Sequence, residues 1–171
     1  LDTIVIYDNG EKRYILTAID YHSRFAFAMM YKSKASKNAA DFLRRLYLLF
    51  DGRIKNIHID NGSEFKKEFL KAVAELKIDL YHARPHQPKD KPLIERFNGI
   101  IQQEYINLGH FSLDVDRFNN DLIDWLLFYN FKRPHHSLGL HRPIEYVRLK
   151  SEVLPMYSPI DKDLTNIFSV V

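Results

Sequence analysis

The chain has 171 residues, 46% of them hydrophobic and 13% aromatic, a composition typical of one globular domain rather than of a disordered segment. It contains no cysteine, which excludes disulfides and cysteine-ligated zinc. It also has no apolar run of the ~20 residues that a membrane-spanning helix needs. The formal net charge of +3 permits a polyanionic partner without requiring one.

The first part of the chain predicts three antiparallel strands joined by turns. β-Branched and aromatic residues dominate segments 3–7, 13–19 and 25–31. The dipeptide Asn9-Gly10 is typical of a tight hairpin turn between the first two strands. Asp20 is predicted to cap the second turn.

Helices and strands alternate in the middle of the chain. Apolar residues at helical spacing predict helices over 36–50, with Ser36 as N-cap, and over 65–76. Short strands are expected at 54–59 and 78–82, and helical crossovers make such strands parallel. The predicted class is α/β, with a five-stranded mixed sheet of three antiparallel strands and then parallel strands, flanked by helices.

The second half of the chain is predicted to be mainly helical at first and irregular later. A polar loop at 83–91 precedes a helix with Asp90 as candidate N-cap and an apolar stripe from Ile94 to Leu108. A further helix is expected around 118–129. From Phe131 the sequence becomes basic and irregular.

Three acidic residues lie on separate predicted elements. Asp2 opens the first strand, Asp60 ends the fourth, and Glu95 lies in the first turns of the following helix. Carboxylates mounted in this way suit Mg²⁺, which prefers hard oxygen ligands. Asn98 and Gln102 follow Glu95 on the same helix face and add two amides. Taken singly, Asp60 is more typical of a turn and Glu95 of a solvated helix face.

In combination, these motifs resemble the catalytic core shared by retroviral integrases and bacterial insertion-sequence transposases of the DDE class. The resemblance runs from Asp2 to about Val147, and its closing segment favours a bacterial transposase. Asp60 and Glu95 are separated by 34 residues, one fewer than the commonest spacing in the family. The motifs that carry it are Asp60-Asn61-Gly62-Ser63-Glu64-Phe65, Glu95-Arg96-Phe97-Asn98 and the closing segment Arg133-Pro134-His135-His136-Ser137-Leu138-Gly139.

The resemblance implies an RNase H-like catalytic core in residues 1–150, with 151–171 as a C-terminal extension of unknown role. It implies a triad of Asp2, Asp60 and Glu95 that is both catalytic and metal-binding, with two Mg²⁺ or Mn²⁺ ions and with Asn98 in support. The implied activity is metal-dependent nicking of DNA 3′ ends followed by strand transfer.

DNA at the element ends and at the target is the implied partner. Basic and polar side chains are expected to contact DNA phosphates, which position DNA without reading its sequence. A homo-oligomer, at least a dimer, is expected in the bacterial cytoplasm at the nucleoid, without a membrane partner. The expected DNA-contacting residues are Arg84, His86, Lys89, Lys91, Gln102, Lys132 and Arg133.

Two other functions remain open from the sequence. One is an RNase H-like, structure-selective nuclease that cleaves DNA without joining strands; the closing segment argues against it. The other is a catalytically decayed core that only binds DNA or self-associates; the complete set of acidic residues argues against it.

Overall fold

The computed structural model describes residues 1–82 and 92–151, with side chains as far as residue 147. Within these ranges the chain forms five strands and five α-helices. In chain order they are β1 (Asp2–Asp8), β2 (Glu11–Ile19), β3 (Ala26–Tyr31), α1 (Ser36–Leu49), β4 (Asn56–Ile59), α2 (Glu68–Glu75), β5 (Asp79–His82), α3 (Pro92–Glu104), α4 (Val115–Phe131) and α5 (Pro143–Ser151).

The first three strands form an antiparallel sheet in the order β1-β2-β3, as the sequence predicts. Asp8 pairs with Glu11 across the first turn, and both Asn9 and Gly10 adopt positive φ angles of 47° and 83°. These angles match the primed hairpin turns that suit the twist of the strands. The predicted cap of the second turn is confirmed, because the Asp20 carboxylate accepts hydrogen bonds from the backbone of His22 and Ser23.

The central strand β2 is covered on both faces. Its residues Ile15, Leu16, Thr17 and Ala18 are all buried, so the strand lacks the alternation of a half-exposed sheet. Helix α3 packs against β2, while α1 and α4 pack against β3. The hydroxyl of Thr17 therefore needs a partner inside the protein, and α3 supplies it.

Helix α4 satisfies backbone groups along the outer edge of β3. The side-chain amide of Asn130 donates to the Ala26 carbonyl and accepts from the Ala26 N–H, both at 2.8 Å. Asn119 makes the equivalent pair of bonds with Met30, at 3.1 and 2.8 Å. Two helical side chains thus occupy hydrogen-bonding positions that a fourth strand would take, which protects an edge that would otherwise be open to further pairing.

The predicted five-stranded sheet is only partly confirmed. In the described residues, β4 and β5 form a parallel pair, and no ladder of strand pairing joins them to the antiparallel sheet. A hydrogen bond connects the two groups, where the Leu1 nitrogen donates to the His58 carbonyl at 2.5 Å. Helical crossovers fix strand direction, but they do not determine that neighbouring strands complete a continuous ladder.

Other local predictions need correction. Ala35, not Ser36, occupies the N-cap of α1, and the Ser36 hydroxyl donates to Glu68 of α2 instead. Leu108 is exposed, because α3 ends at Glu104 and Leu108 lies in a separate short 3-10 helix, Ile106–Leu108. The region predicted to be irregular contains α5, which contacts α4.

The candidate N-cap Asp90 lies outside the described residues. In the described part of the chain, no helix combines the length and hydropathy that a membrane crossing requires.

Candidate functional site

The first candidate acidic residue, Asp2, is held by a buried amide from another element. The Asn98 side-chain nitrogen on α3 donates to Asp2 Oδ2 at 2.8 Å, and Asn98 Oδ1 accepts from the Thr17 hydroxyl at 2.8 Å. Thr17 is fully buried and Asn98 is 9% exposed. Both ends of the amide are therefore fixed, which sets the direction of the Asp2 carboxylate.

The second candidate, Asp60, lies directly after β4 in a tight turn. Its Oδ1 accepts a hydrogen bond from the Gly62 backbone N–H at 2.9 Å. Asp60 is partly buried, so one carboxylate oxygen is anchored locally while the group stays near the surface. An Asp side chain that bonds the backbone two residues ahead is a common way to fix a turn.

The third candidate, Glu95, is exposed in the first turn of α3. It precedes Asn98 by three positions, so the two side chains share one helix face. Since Asn98 touches Asp2, Glu95 lies one helical turn from that contact. Gln102 is exposed one turn further along the helix.

These acidic side chains offer the carboxylate oxygens that divalent metals bind, but they do not form a complete coordination site. Within the described ranges, no group of three or more His, Cys, Asp or Glu residues is arranged to hold a metal ion. Mg²⁺ commonly binds through one or two carboxylates and keeps several waters. Asp2 and Asp60 fit that requirement, because each is a carboxylate held in place by a hydrogen bond on one oxygen.

A fourth acidic residue, Glu64, belongs to the motif that begins at Asp60, and the sequence does not predict it as part of the site. It lies in a one-turn 3-10 helix, Ser63–Phe65, and is only 2% exposed. Its Oε1 accepts from the Thr3 hydroxyl at 2.7 Å, and its Oε2 lies 3.2 Å from the Lys34 amino group. One feature of the sequence points to Glu64: it directly precedes a phenylalanine of the core. A carboxylate at such a position needs a partner, because burying an unpaired charge is costly.

The predicted DNA-contacting residues fall into different environments. Arg84, His86, Lys89 and Lys91 lie outside the described residues. Lys132 is exposed at the end of α4.

Arg133 is engaged within the protein. Its guanidinium pairs with Glu104 at 2.5 Å and lies over the Tyr129 ring, 5.6 Å from the ring centre. Next to it, His135 is buried edge-on against Tyr129, and burial lowers the pKa of its imidazole. These contacts link α3, α4 and the closing segment.

Two family models and several known proteins are similar to this chain. The integrase core domain family matches residues 1–88, and a second integrase core domain profile matches residues 76–143. A putative integrase of a Spiroplasma virus is 29% identical over 158 residues, covering 80% of this chain and 42% of the viral protein. An uncharacterised protein of insertion element IS476 from Xanthomonas euvesicatoria is 30% identical over 98 residues, covering 57% of this chain and 28% of that protein. The chain thus spans less than half the length of these relatives.

Solved structures show the same fold at low sequence identity. A chain in the cryo-EM structure of the simian T-cell lymphotropic virus intasome in complex with the PP2A regulatory subunit B56 gamma has a TM-score of 0.74 at 22% identity, covering 94% of this chain and 56% of that one. The catalytic core domain of HTLV-2 integrase in complex with magnesium has a TM-score of 0.65 at 19% identity, covering 85% and 91%. The chain belongs to the integrase core domain family.

Proposed function

We propose that this chain is the catalytic core of a metal-dependent DNA transposase or integrase. The hydrogen bond from Asn98 to Asp2 carries the proposal, because it joins the helix of Glu95 to the strand of Asp2. Membership of the integrase core domain family supports the same reaction class. The magnesium-bound HTLV-2 integrase core supports the choice of metal.

In this proposal, Asp2 and Asp60 bind Mg²⁺ or Mn²⁺ and Glu95 completes the ligand set. Bound metal supplies Lewis-acid activation of the attacking oxygen and stabilises the leaving oxygen. Asn98 directs the Asp2 carboxylate, and the Gly62 N–H directs that of Asp60.

The reaction has two phosphoryl-transfer steps. Water first attacks a phosphodiester at the element end, breaks the bond to the 3′ oxygen and leaves a 3′-hydroxyl. That hydroxyl then attacks a phosphodiester of the target, forming one new phosphodiester and releasing one target 3′-hydroxyl. Each step exchanges one phosphorus–oxygen bond for another, so no oxidant, reductant or nucleotide is required.

The partners and boundaries are part of the proposal. DNA is the substrate, and exposed Lys132 and Gln102 are proposed to contact its phosphates. Arg133 remains a proposed DNA contact through nitrogens beyond the one that pairs with Glu104. The protein is proposed to act as at least a dimer, with residues 1–150 as the core and 151–171 as an extension.

The test compares Asp60→Asn and Glu95→Gln with wild type in a Mg²⁺-dependent assay on labelled element-end DNA. Both variants are expected to lose strand transfer while thermal unfolding shows a folded domain. Asp124→Asn is a matched control, because Asp124 is an exposed carboxylate on α4 that is not part of the proposed ligand set. Strand transfer by either site variant contradicts the assignment, and wild-type cleavage without joining favours the nuclease alternative.

A further inference from the structure

Glu64 lies between the two parts of the chain that carry Asp2 and Asp60. Through Oε1 it bonds the hydroxyl of Thr3, which is the residue after Asp2 on β1. It also belongs to the turn that begins at Asp60, four positions earlier. One buried carboxylate therefore connects β1 to the turn after β4, across 61 positions of sequence.

The turn packs tightly against this carboxylate. A Cβ built on Gly62 would lie 2.5 Å from Glu64 Oε2 and 2.9 Å from Asp60 Oδ1. The two carboxylate oxygens thus face the same small volume beside Gly62. Two negative groups placed so close repel each other unless a positive charge lies nearby.

Lys34 supplies that positive charge from the connection between β3 and α1. Its amino group is 3.2 Å from Glu64 Oε2, and its side chain is 37% exposed while that of Glu64 is 3% exposed. If Glu64 did not neutralise it, the ammonium would stand beside the Asp60 turn as an unpaired cation. Such a charge would repel a divalent metal from the same turn.

We propose that Glu64 is a positioning residue for the metal-binding carboxylates. It neutralises Lys34 beside the Asp60 turn, and it anchors that turn to β1 through Thr3. This inference rests on the proposed function, since it concerns the metal site of that reaction. It assigns Glu64 an effect on metal affinity through its neighbours and no direct contact with metal or DNA.

A purely structural ion pair makes a different prediction. If the pair only stabilised the fold, Lys34→Met would lower the unfolding midpoint more than Glu64→Gln, because it leaves the buried Glu64 carboxylate without its cation. If Glu64 shields the metal site from Lys34, Mg²⁺ affinity changes in the opposite order. Glu64→Gln exposes the lysine charge, whereas Lys34→Met removes it.

The test measures Mg²⁺ affinity of the 171-residue chain by titration calorimetry, with unfolding midpoints recorded separately. Glu64→Gln is expected to weaken Mg²⁺ binding about 10–100-fold, the range found when residues that orient metal ligands are changed. Lys34→Met is expected to bind Mg²⁺ at least as tightly as wild type. The double variant is expected to recover most of the affinity that Glu64→Gln loses.

Matched controls come from the exposed ion pair Arg44–Glu75, which joins α1 and α2 at 2.8 Å. Glu75→Gln and Arg44→Met are expected to leave Mg²⁺ affinity unchanged. Thr3→Val keeps the charges of Glu64 and Lys34 and removes the hydrogen bond from the Thr3 hydroxyl to Glu64. A Mg²⁺ affinity that falls a few fold in this variant supports the anchoring role. An unchanged affinity in Thr3→Val overturns that role.

Equal weakening by Glu64→Gln and Lys34→Met overturns the inference, and so does wild-type affinity in Glu64→Gln. These outcomes differ from failure of the proposed function. In that case, wild type and Asp60→Asn bind Mg²⁺ equally, whatever residue 64 is.

Discussion

The side-chain amide of Asn98 donates a hydrogen bond to the Asp2 carboxylate at 2.8 Å, across 96 positions of sequence. The same amide accepts from the buried Thr17 hydroxyl. Asn98 therefore fixes one helix to two strands, and its replacement tests how strongly the site depends on that junction.

Asn98→Ala is expected to lower the free energy of unfolding by about 1 kcal/mol, because the buried Thr17 hydroxyl loses its 2.8 Å bond to Asn98 and keeps the longer one, at 3.3 Å, to the Asp2 carbonyl. Metal-dependent strand transfer should fall as well, since the Asp2 carboxylate is no longer directed. Urea denaturation and the strand-transfer assay measure the two effects. Gln102→Ala, an exposed change on the same helix, should alter stability by less than about 0.5 kcal/mol. Wild-type stability in Asn98→Ala would argue against the junction.

The two glycines Gly62 and Gly99 should respond to alanine in opposite directions. Gly62 has an ordinary φ of −57°, so the obstacle is space, because the new Cβ would meet the anchored carboxylate of Glu64 at 2.5 Å. Gly62→Ala should destabilise by about 1–3 kcal/mol, as overpacking does. Gly99 lies within α3 with nothing within 4 Å of its would-be Cβ, so Gly99→Ala should stabilise by about 0.5–1 kcal/mol. Urea denaturation of both variants tests this, and the same sign of change in both would refute it.

The two asparagines of α4 that bond the β3 edge should contribute unequally. Asn130 is 3% exposed, so Asn130→Ala leaves the Ala26 N–H and carbonyl buried and without these bonds. We expect a loss of at least about 2 kcal/mol, given the penalty for unpaired buried groups. Asn119 is partly exposed, and water can replace its bonds to Met30, so Asn119→Ala should lose less. Equilibrium unfolding decides the order, and a larger loss for Asn119→Ala would contradict it.

His135 should make stability fall in mild acid. Burial lowers the pKa of its imidazole in the folded protein, whereas the unfolded chain titrates near the ordinary value of about 6.5. Below that pH the unfolded state takes up a proton that the folded state resists. The contribution of neutral His135 to the free energy of unfolding is therefore fully present above about pH 6.5. It is lost progressively as the pH falls toward the lowered pKa.

The free energy of unfolding, measured from pH 7.5 to 5, tests this. His135→Gln should show a shallower decline than wild type over that range. His136→Gln, a change at the exposed neighbouring histidine, should keep the wild-type decline. An identical slope in wild type and His135→Gln would show that other groups control the pH dependence.

Local sequence preferences predicted much of the fold. The Asn9-Gly10 turn, the three early strands and the alternation of helices with β4 and β5 all follow from short-range patterns. Helix α5 was missed because Pro143 and the basic residues around it resemble loop sequence, while contact with α4 stabilises the helix. The sequence did not predict that the strands form two separate groups, because pairing between strands far apart in the chain depends on the tertiary packing.

From the sequence alone, Asp2, Asp60 and Glu95 can be placed on their elements and within the family motifs. The hydrogen bond from Asn98 to Asp2, and the burial of Glu64 against Thr3 and Lys34, become visible in the folded protein. Strand and helix preferences act over a few residues, whereas these contacts join positions far apart in the chain. Packing of α3 on β2 and of the Asp60 turn beside β1 brings them within bonding distance.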